Sequence, residues 1–389
     1  PGNWDDGEIP GLTDDVVIPE GCPNYPLLTG ADVNCSSLVL ENGATLEIAQ
    51  GYLYCQNYAE IAGHLVMNHS DGILSALEVH FLDGATGDIN TGTIRLRLDV
   101  DFMEGSNIQM GAESTLHFIA PTFAGIRMNE PATTLGSLLI DKTSFYYVAL
   151  FCDAVDTVFI NGCLSILQDS EFRIRNNTVV ADSIILPENA RLKLSSTDGP
   201  GYCRVNNDFE HFGELITDFA DKSKTSHSGQ FVVSGDYKLS ETGVLDMSGG
   251  GSFSQHNPVY QTLIYGEMEL SNGAMFNTEG SLHILEQANI HGNDGNFRVR
   301  ANLWVNDLAD FEMTGGTFEF YGTPPSTITI NNKYFHNLLI NKSPGSYAYI
   351  NTFTEVRNNL TLNGGTFRLT YGSTFANMSV AGDWTNTSG

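Results

Sequence analysis

Apolar and polar residues alternate over short runs along the whole chain, and the runs are separated by turns rich in Gly and Asn. The stretch SLVLENGATLEIAQGYLYC (37–55) reads as strand, Asn-Gly turn, strand, Gly turn, strand, with strands over Leu38–Leu40, Thr45–Ile48 and Tyr52–Cys55. The same phrase returns as ILPENARLKL (185–194), LSNGAMFNTEGSLHIL (270–285), TGGTFEFYG (314–322) and NGGTFRLTYG (363–372). The period is two throughout, and no helical stripe exceeds two turns. Two longer units match each other: Thr115–Lys142 and Thr317–Lys342 both start with an alternating strand, pass a Pro/Gly turn and end in LLIDK (138–142) or LLINK (338–342). GDYKLSETG (235–243) and GDWTNTSG (382–389) form a second pair. Self-similar units of unequal length mark a solenoid, whose insertions are confined to turns.

A β-sandwich would need hairpin turns between antiparallel partners, and a propeller a fixed period near 40–50 residues. Neither fits. The pattern predicts an all-β right-handed parallel β-helix (β-solenoid) with degenerate repeats. Coils of about 20–25 residues would stack about 4.8 Å apart. Residues 1–35 read as a turn-rich N-terminal cap and 36–389 as the solenoid, expected to continue beyond the chain end. Leu46, Ile48, Leu360, Leu362, Phe367 and Leu369 are expected to point inward and form ladders.

Composition agrees and adds limits. Gly is abundant (40), the apolar fraction is 41%, and the formal charge is −28. Such an acidic chain would be repelled by phosphate backbones and anionic membrane surfaces, so nucleic acid is not an expected partner. No apolar run of eighteen residues exists, so membrane insertion as a helix is not expected. There are six cysteines and no Cys-x-x-Cys. Cys22 and Cys35 share a turn-rich segment. Cys35 and Cys55 lie about one coil apart, which would stack them within disulfide range, and Cys152 and Cys163 flank a strand–turn–strand. The pairing stays open, and an oxidising compartment is favoured.

Candidate chemistry is sparse. Asp5, Asp6, Asp14 and Asp15 cluster near the N-terminus, where oxygen ligands could hold Ca²⁺, although no EF-hand pattern accompanies them. The ten histidines show no His-x-His or His-x-x-x-His spacing, which argues against a transition-metal site. In IRLRLDVDF (94–102) strict alternation puts Arg95, Arg97, Asp99 and Asp101 on one face of one strand. Two such carboxylates, about 6.5–7 Å apart, suit acid/base work on a polysaccharide, and the arginines would bind a uronate. The plainer reading is charge pairing on an exposed β face. Tyr347 and Tyr349, outward in SYAYI (346–350), are candidates for stacking on surface glycans.

The phrases DDVVIP (14–19), Cys35, Leu38, Leu40 and GATLEI (43–48), with Trp4 before them, resemble a known family. So do Phe320–Gly322, Ile328–Ile330, Phe335–Asn341 and Val380–Asn386. Together they are similar to the large repetitive β-solenoid cell-surface proteins of Bacteroidota exported by the type IX secretion system. The resemblance is clear over about 1–60 and 310–389. It implies extracellular display as a stalk, fibre subunit or adhesive spacer, with like subunits or further repeats end to end. It also implies O-glycosylation at Asp-(Ser/Thr)-aliphatic, which makes Thr157 and Ser183 candidates. The expected function is therefore non-enzymatic, structural and adhesive; a polysaccharide lyase or hydrolase, or a calcium-dependent glycan-binding module, is the alternative.

Overall fold

A computed structural model describes residues 8–30, 32–131, 133–144, 146–152, 157–196, 199–217, 229–371 and 374–387. All regular structure in it is β-strand. The chain forms two compact units, Pro1–Ile185 and Leu186–Gly389, and each is a parallel β-solenoid.

In the first unit one stack runs through Asp15–Ile18, Ser37–Leu40, Tyr58–Ile61, Glu78–Phe81, Val100–Phe102, Ala124–Met128 and Tyr147–Phe151 to Glu171–Ile174. Its register puts Val16 beside Leu38, Leu38 beside Ala59, Ala59 beside Val79 and Val79 beside Val100. Parallel stacking is thus already present at Asp15, inside the segment read from sequence as a cap. The rest of each coil is a long bent strand such as Thr45–Cys55, Thr86–Leu96 or Asn107–Phe118. One leg of Thr45–Cys55 pairs with His64–Val66 and the other with Gly72–Ser75. The bend needs glycine. Gly51 and Gly92 have φ of 104° and 86°, and a Cβ on Gly92 would lie 2.7 Å from the Gly72 carbonyl oxygen.

Coils of the second unit use three shorter strands. One complete turn comprises Glu267–Leu270, Met275–Thr278 and Ser281–Ile284, each paired with its counterpart in the following coil. Asn272 and Gly273, both at positive φ, make the corner between the first two strands, so the Asn-Gly turn read from sequence has a physical basis.

Alternation sets the core. Leu46, Ile48 and Leu360 are at most 1% exposed. Inside the second unit Phe231, Phe253, Phe276, Phe297 and Phe318 stack rung on rung, with ring centroids 5.8, 5.0, 5.7 and 5.2 Å apart. Truncating one of these rings to Ala would cost about 3–5 kcal/mol. The last three expected ladder members differ: Leu362 and Phe367 are half-buried, and Leu369 is 38% exposed. Only the short strands Met378–Val380 and Trp384–Asn386 lie over that coil among the described residues. Trp384 itself continues the inward column above Leu360, yet it is 57% exposed.

Candidate functional site

The four charged residues of 94–102 stand on two strands and the corner between them rather than on one strand. The strand carrying Arg95 ends at Leu96, and Val100–Phe102 belongs to another stack. A corner at 97–99 intervenes, with Leu98 half-exposed, because the chain must turn there to close the coil. This corrects the single strand expected over 94–102 and separates Arg95 and Arg97 from the carboxylates. Arg97 instead turns back, donating to the Gln56 carbonyl at 2.6 Å and lying 5.4 Å from the Tyr54 ring centroid.

Asp99 and Asp101 do come together, through a residue the sequence reading did not single out. Arg127, on the next coil, reaches Asp99 Oδ2 at 2.8 Å and Asp101 Oδ1 at 2.9 Å with the same Nη1. His80, on the preceding coil, approaches Asp101 Oδ2 at 2.9 Å and Glu78 at 3.3 Å. The register His80–Asp101–Arg127 makes this a ladder across three coils. Asp99 also accepts from the Gly125 N–H at 2.7 Å. Burial works against the Asp101 carboxylate, but hydrogen bonds from His80 and Arg127 outweigh it and hold its pKa below the usual range. The hydrogen bond to Asp101 raises the His80 pKa against its partial burial. The outcome is an ionised carboxylate in a paired network, which suits clamping coils together and does not suit a general acid.

The recurring LLI-(Asp/Asn)-Lys phrase holds the second constellation. Lys142 and Lys342 are 0% and 2% exposed, and both turn inward at a coil corner. The Lys142 ammonium donates to the carbonyls of Arg97 at 2.9 Å and Ile119 at 2.7 Å. Lys342 donates to those of Arg300, Tyr321 and Pro324 at 2.6, 2.8 and 2.9 Å. Each lysine therefore binds backbone oxygens on two earlier coils. Corners leave carbonyls outside the ladder, and a buried carbonyl without a donor is costly, so an inward cation is a physical solution. Burial lowers both pKa values to about 8. Nearby carboxylates of Asp99 and Asp141 oppose that fall for Lys142, whereas the Arg300 charge adds to it for Lys342.

The other candidates are scattered. Asp5 and Asp6 lie outside the described residues. Asp14 accepts from the Gly11 N–H at 2.8 Å. Asp15 takes the Ser37 hydroxyl, and hydrogen bonds from Ser37 and Ser36 lower its pKa. Among the described residues no group of three or more His, Cys, Asp or Glu could hold a metal ion. Cys35 and Cys55 stack in register with their sulfurs 3.4 Å apart, both fully buried. No disulfide is formed among the described residues, and Cys22, Cys152 and Cys163 are half-buried elsewhere. Thr157 and Ser183 are half-exposed, with Asp156 outside the described residues. Tyr347 and Tyr349 face outward, over buried Ala348 and Ile350, and stack at 5.7 Å. The Arg368 guanidinium covers Tyr347 at 4.5 Å.

His211 was not singled out from sequence. It is fully buried in the second unit, with Nδ1 3.0 Å from the Gly213 carbonyl and Nε2 2.8 Å from the Tyr237 hydroxyl. Nδ1 therefore carries the proton and Nε2 accepts from Tyr237. Burial lowers its pKa to about 4, which keeps it neutral.

No family model, curated protein or solved structure matches the chain. No helix is long and apolar enough to cross a membrane among the described residues.

Proposed function

We propose that this is a non-enzymatic, extracellular structural and adhesive protein of the cell surface, a stalk or fibre subunit built from stacked β-coils. The observation that supports it most is Arg127. The residue types that would do chemistry on an outer sheet face are bound to each other across coils, which ties neighbouring coils together. Arg298–Glu319, Lys238–Glu210 and Arg191–Glu214 repeat the device at 2.7, 2.7 and 2.6 Å. Trp384 offers an apolar surface on which a further coil of the same kind would stack, from more repeats or from a second copy. The sequence resemblance to type IX-exported solenoids of Bacteroidota points the same way, toward surface display and O-glycosylation at Thr157 and Ser183. Electron microscopy of native material tests the reading. Rods joined end to end are expected, and only short isolated monomers would overturn the fibre.

The polysaccharide-enzyme reading rests on the meeting of Asp99, Asp101, His80 and Arg127 on one outer face. Incubation with acidic and neutral polysaccharides, followed for reducing ends and unsaturated products, decides it. Turnover that disappears in Asp99→Asn would replace the structural reading.

A further inference from the structure

At a corner of the second unit, beside the stack Phe209–His211, Tyr237–Leu239 and Gln261–Ile264, there is a surface recess of about 370 Å³. Phe212, Lys238, Ser240, Glu241, Thr242 and Tyr265 line it. Three of these residues stand on consecutive rungs. The Ser240 N–H donates to the His211 carbonyl and the Tyr265 N–H to that of Leu239, so Phe212, Ser240 and Tyr265 are stacked neighbours. Ser240 is small and 4% exposed, while Phe212 is 45% exposed. The middle rung is therefore a gap between two aromatic side chains. Two rungs span roughly 10 Å, and half of that lies within the 4.5–7 Å at which ring faces pack. One ring fits between them.

The side of the recess is polar. Lys238 donates to Glu210 Oε1 at 2.7 Å, and the Ser240 hydroxyl donates to the same oxygen at 2.8 Å. The Lys238 ammonium is also 5.5 Å from the Tyr265 ring centroid. Lys238 thus stands as a donor beside an aromatic wall with its charge balanced by Glu210, and the Glu241 carboxylate, which also lines the recess, stands as an acceptor.

We propose that this recess binds one pyranose ring of a neutral glycan, an inference that rests on the adhesive side of the surface reading. The C–H face of a pyranose stacks on Tyr265 or Phe212, and its hydroxyls match the Lys238 donor and the Glu241 acceptor. A chain of formal charge −28 repels uronates, sulfated sugars and nucleotides, and the ion pair supplies no net positive charge to retain them. The ligand chemistry is therefore neutral and hydroxylated.

The full chain is applied to immobilised gluco-, manno- and galacto-oligosaccharides, with oligogalacturonate and heparin fragments as charged comparators. Binding to at least one neutral series is expected, weakened at least about tenfold in Phe212→Ala and in Tyr265→Ala. Phe212→Tyr and Tyr265→Phe keep the ring and are expected to retain binding, which separates lost contact from lost fold. Leu308→Ala, at an exposed position outside the recess, leaves binding unchanged. The proposal is overturned if no neutral probe binds, if charged probes bind as well, or if Phe212→Ala and Tyr265→Ala bind as wild type does. Imaging of the assembly tests the stalk independently, so failure of this site would leave that reading standing.

Discussion

Lys142 and Lys342 end two copies of one phrase, one in each compact unit, and both bury an ammonium against backbone carbonyls. Their surroundings differ. Lys142 has two carbonyl acceptors, a fringe of carboxylates, and the Phe118 ring centroid 5.9 Å away. Lys342 has three acceptors, enough for all its N–H groups, and a guanidinium nearby instead. The preceding residue differs in step. Asp141 lies 3.4 Å from His117 Nε2, whereas Asn341 donates to Glu319 at 2.8 Å and accepts from Asn363 at 3.1 Å. A repeat can thus keep a device while each copy tunes the electrostatics around it.

Removing the device separates the two most clearly. Lys→Met keeps the aliphatic stem and deletes the donors. It also relieves the cost of a buried charge, so the net loss depends on how many carbonyls are left without a partner. Denaturant unfolding is expected to show a loss on the order of 3 kcal/mol for Lys342→Met and about 2 kcal/mol for Lys142→Met. Equal losses would mean that the third carbonyl contributes nothing.

Titration comes next in size. An unfolded lysine holds its proton to about pH 10.4, and these two release it near 8 in the fold. Between those values the unfolded chain binds more protons, so their contribution to stability rises with pH across the window and is lost as pH falls through about 8. Tyr237 works in the opposite direction at high pH, because burial raises its pKa. The quantity to measure is therefore the stability difference between wild type and the Lys142→Met/Lys342→Met double variant. It should shift in favour of wild type from pH 8 to 10; a flat difference would mean that neither lysine has a lowered pKa.

Period-two alternation, Gly and Asn corners and the repeated pentapeptide were enough for a parallel solenoid, because inward stacking is dictated by local spacing. The pentapeptide also marked the lysines, but a charged residue after LLI reads as surface until the coil is closed around it. Asp99 and Asp101 were found because they lie close in sequence. Arg127 and His80 were not, since register with a neighbouring coil depends on insertions in the turns. The corner at 97–99 was hidden for a related reason: alternation continues through it, although the backbone changes sheets. The Phe212–Tyr265 recess needs the same three-coil register, and no local pattern announces it.

A smaller effect tests the Lys342 surroundings alone. Arg300→Ala keeps the backbone carbonyl that Lys342 uses while removing the guanidinium that helps lower its pKa. The Lys342 titration should move upward toward the ordinary lysine value, and that of Lys142 should stay. NMR of selectively labelled lysine reads both at once, and movement of Lys142 would point to a general change in the fold.

The smallest expected effect exchanges the residue before the lysine. In Asn341→Asp the side chain loses its donor to Glu319 and gains a charge of the same sign beside it. Glu319 remains paired with Arg298 at 2.7 Å, which moderates the repulsion, so the loss should be about 1 kcal/mol. Asp141→Asn meets the opposite situation. Burial, followed by the Arg95 charge, lowers the His117 pKa, so at neutral pH Asp141 faces a neutral ring and an amide can replace it at little cost. A change within about 0.5 kcal/mol is expected there by the same unfolding measurement. If Asp141→Asn proved the more damaging, the carboxylate would be essential to the Lys142 corner, and the fourth position of the phrase would follow its own lysine rather than the neighbouring coil.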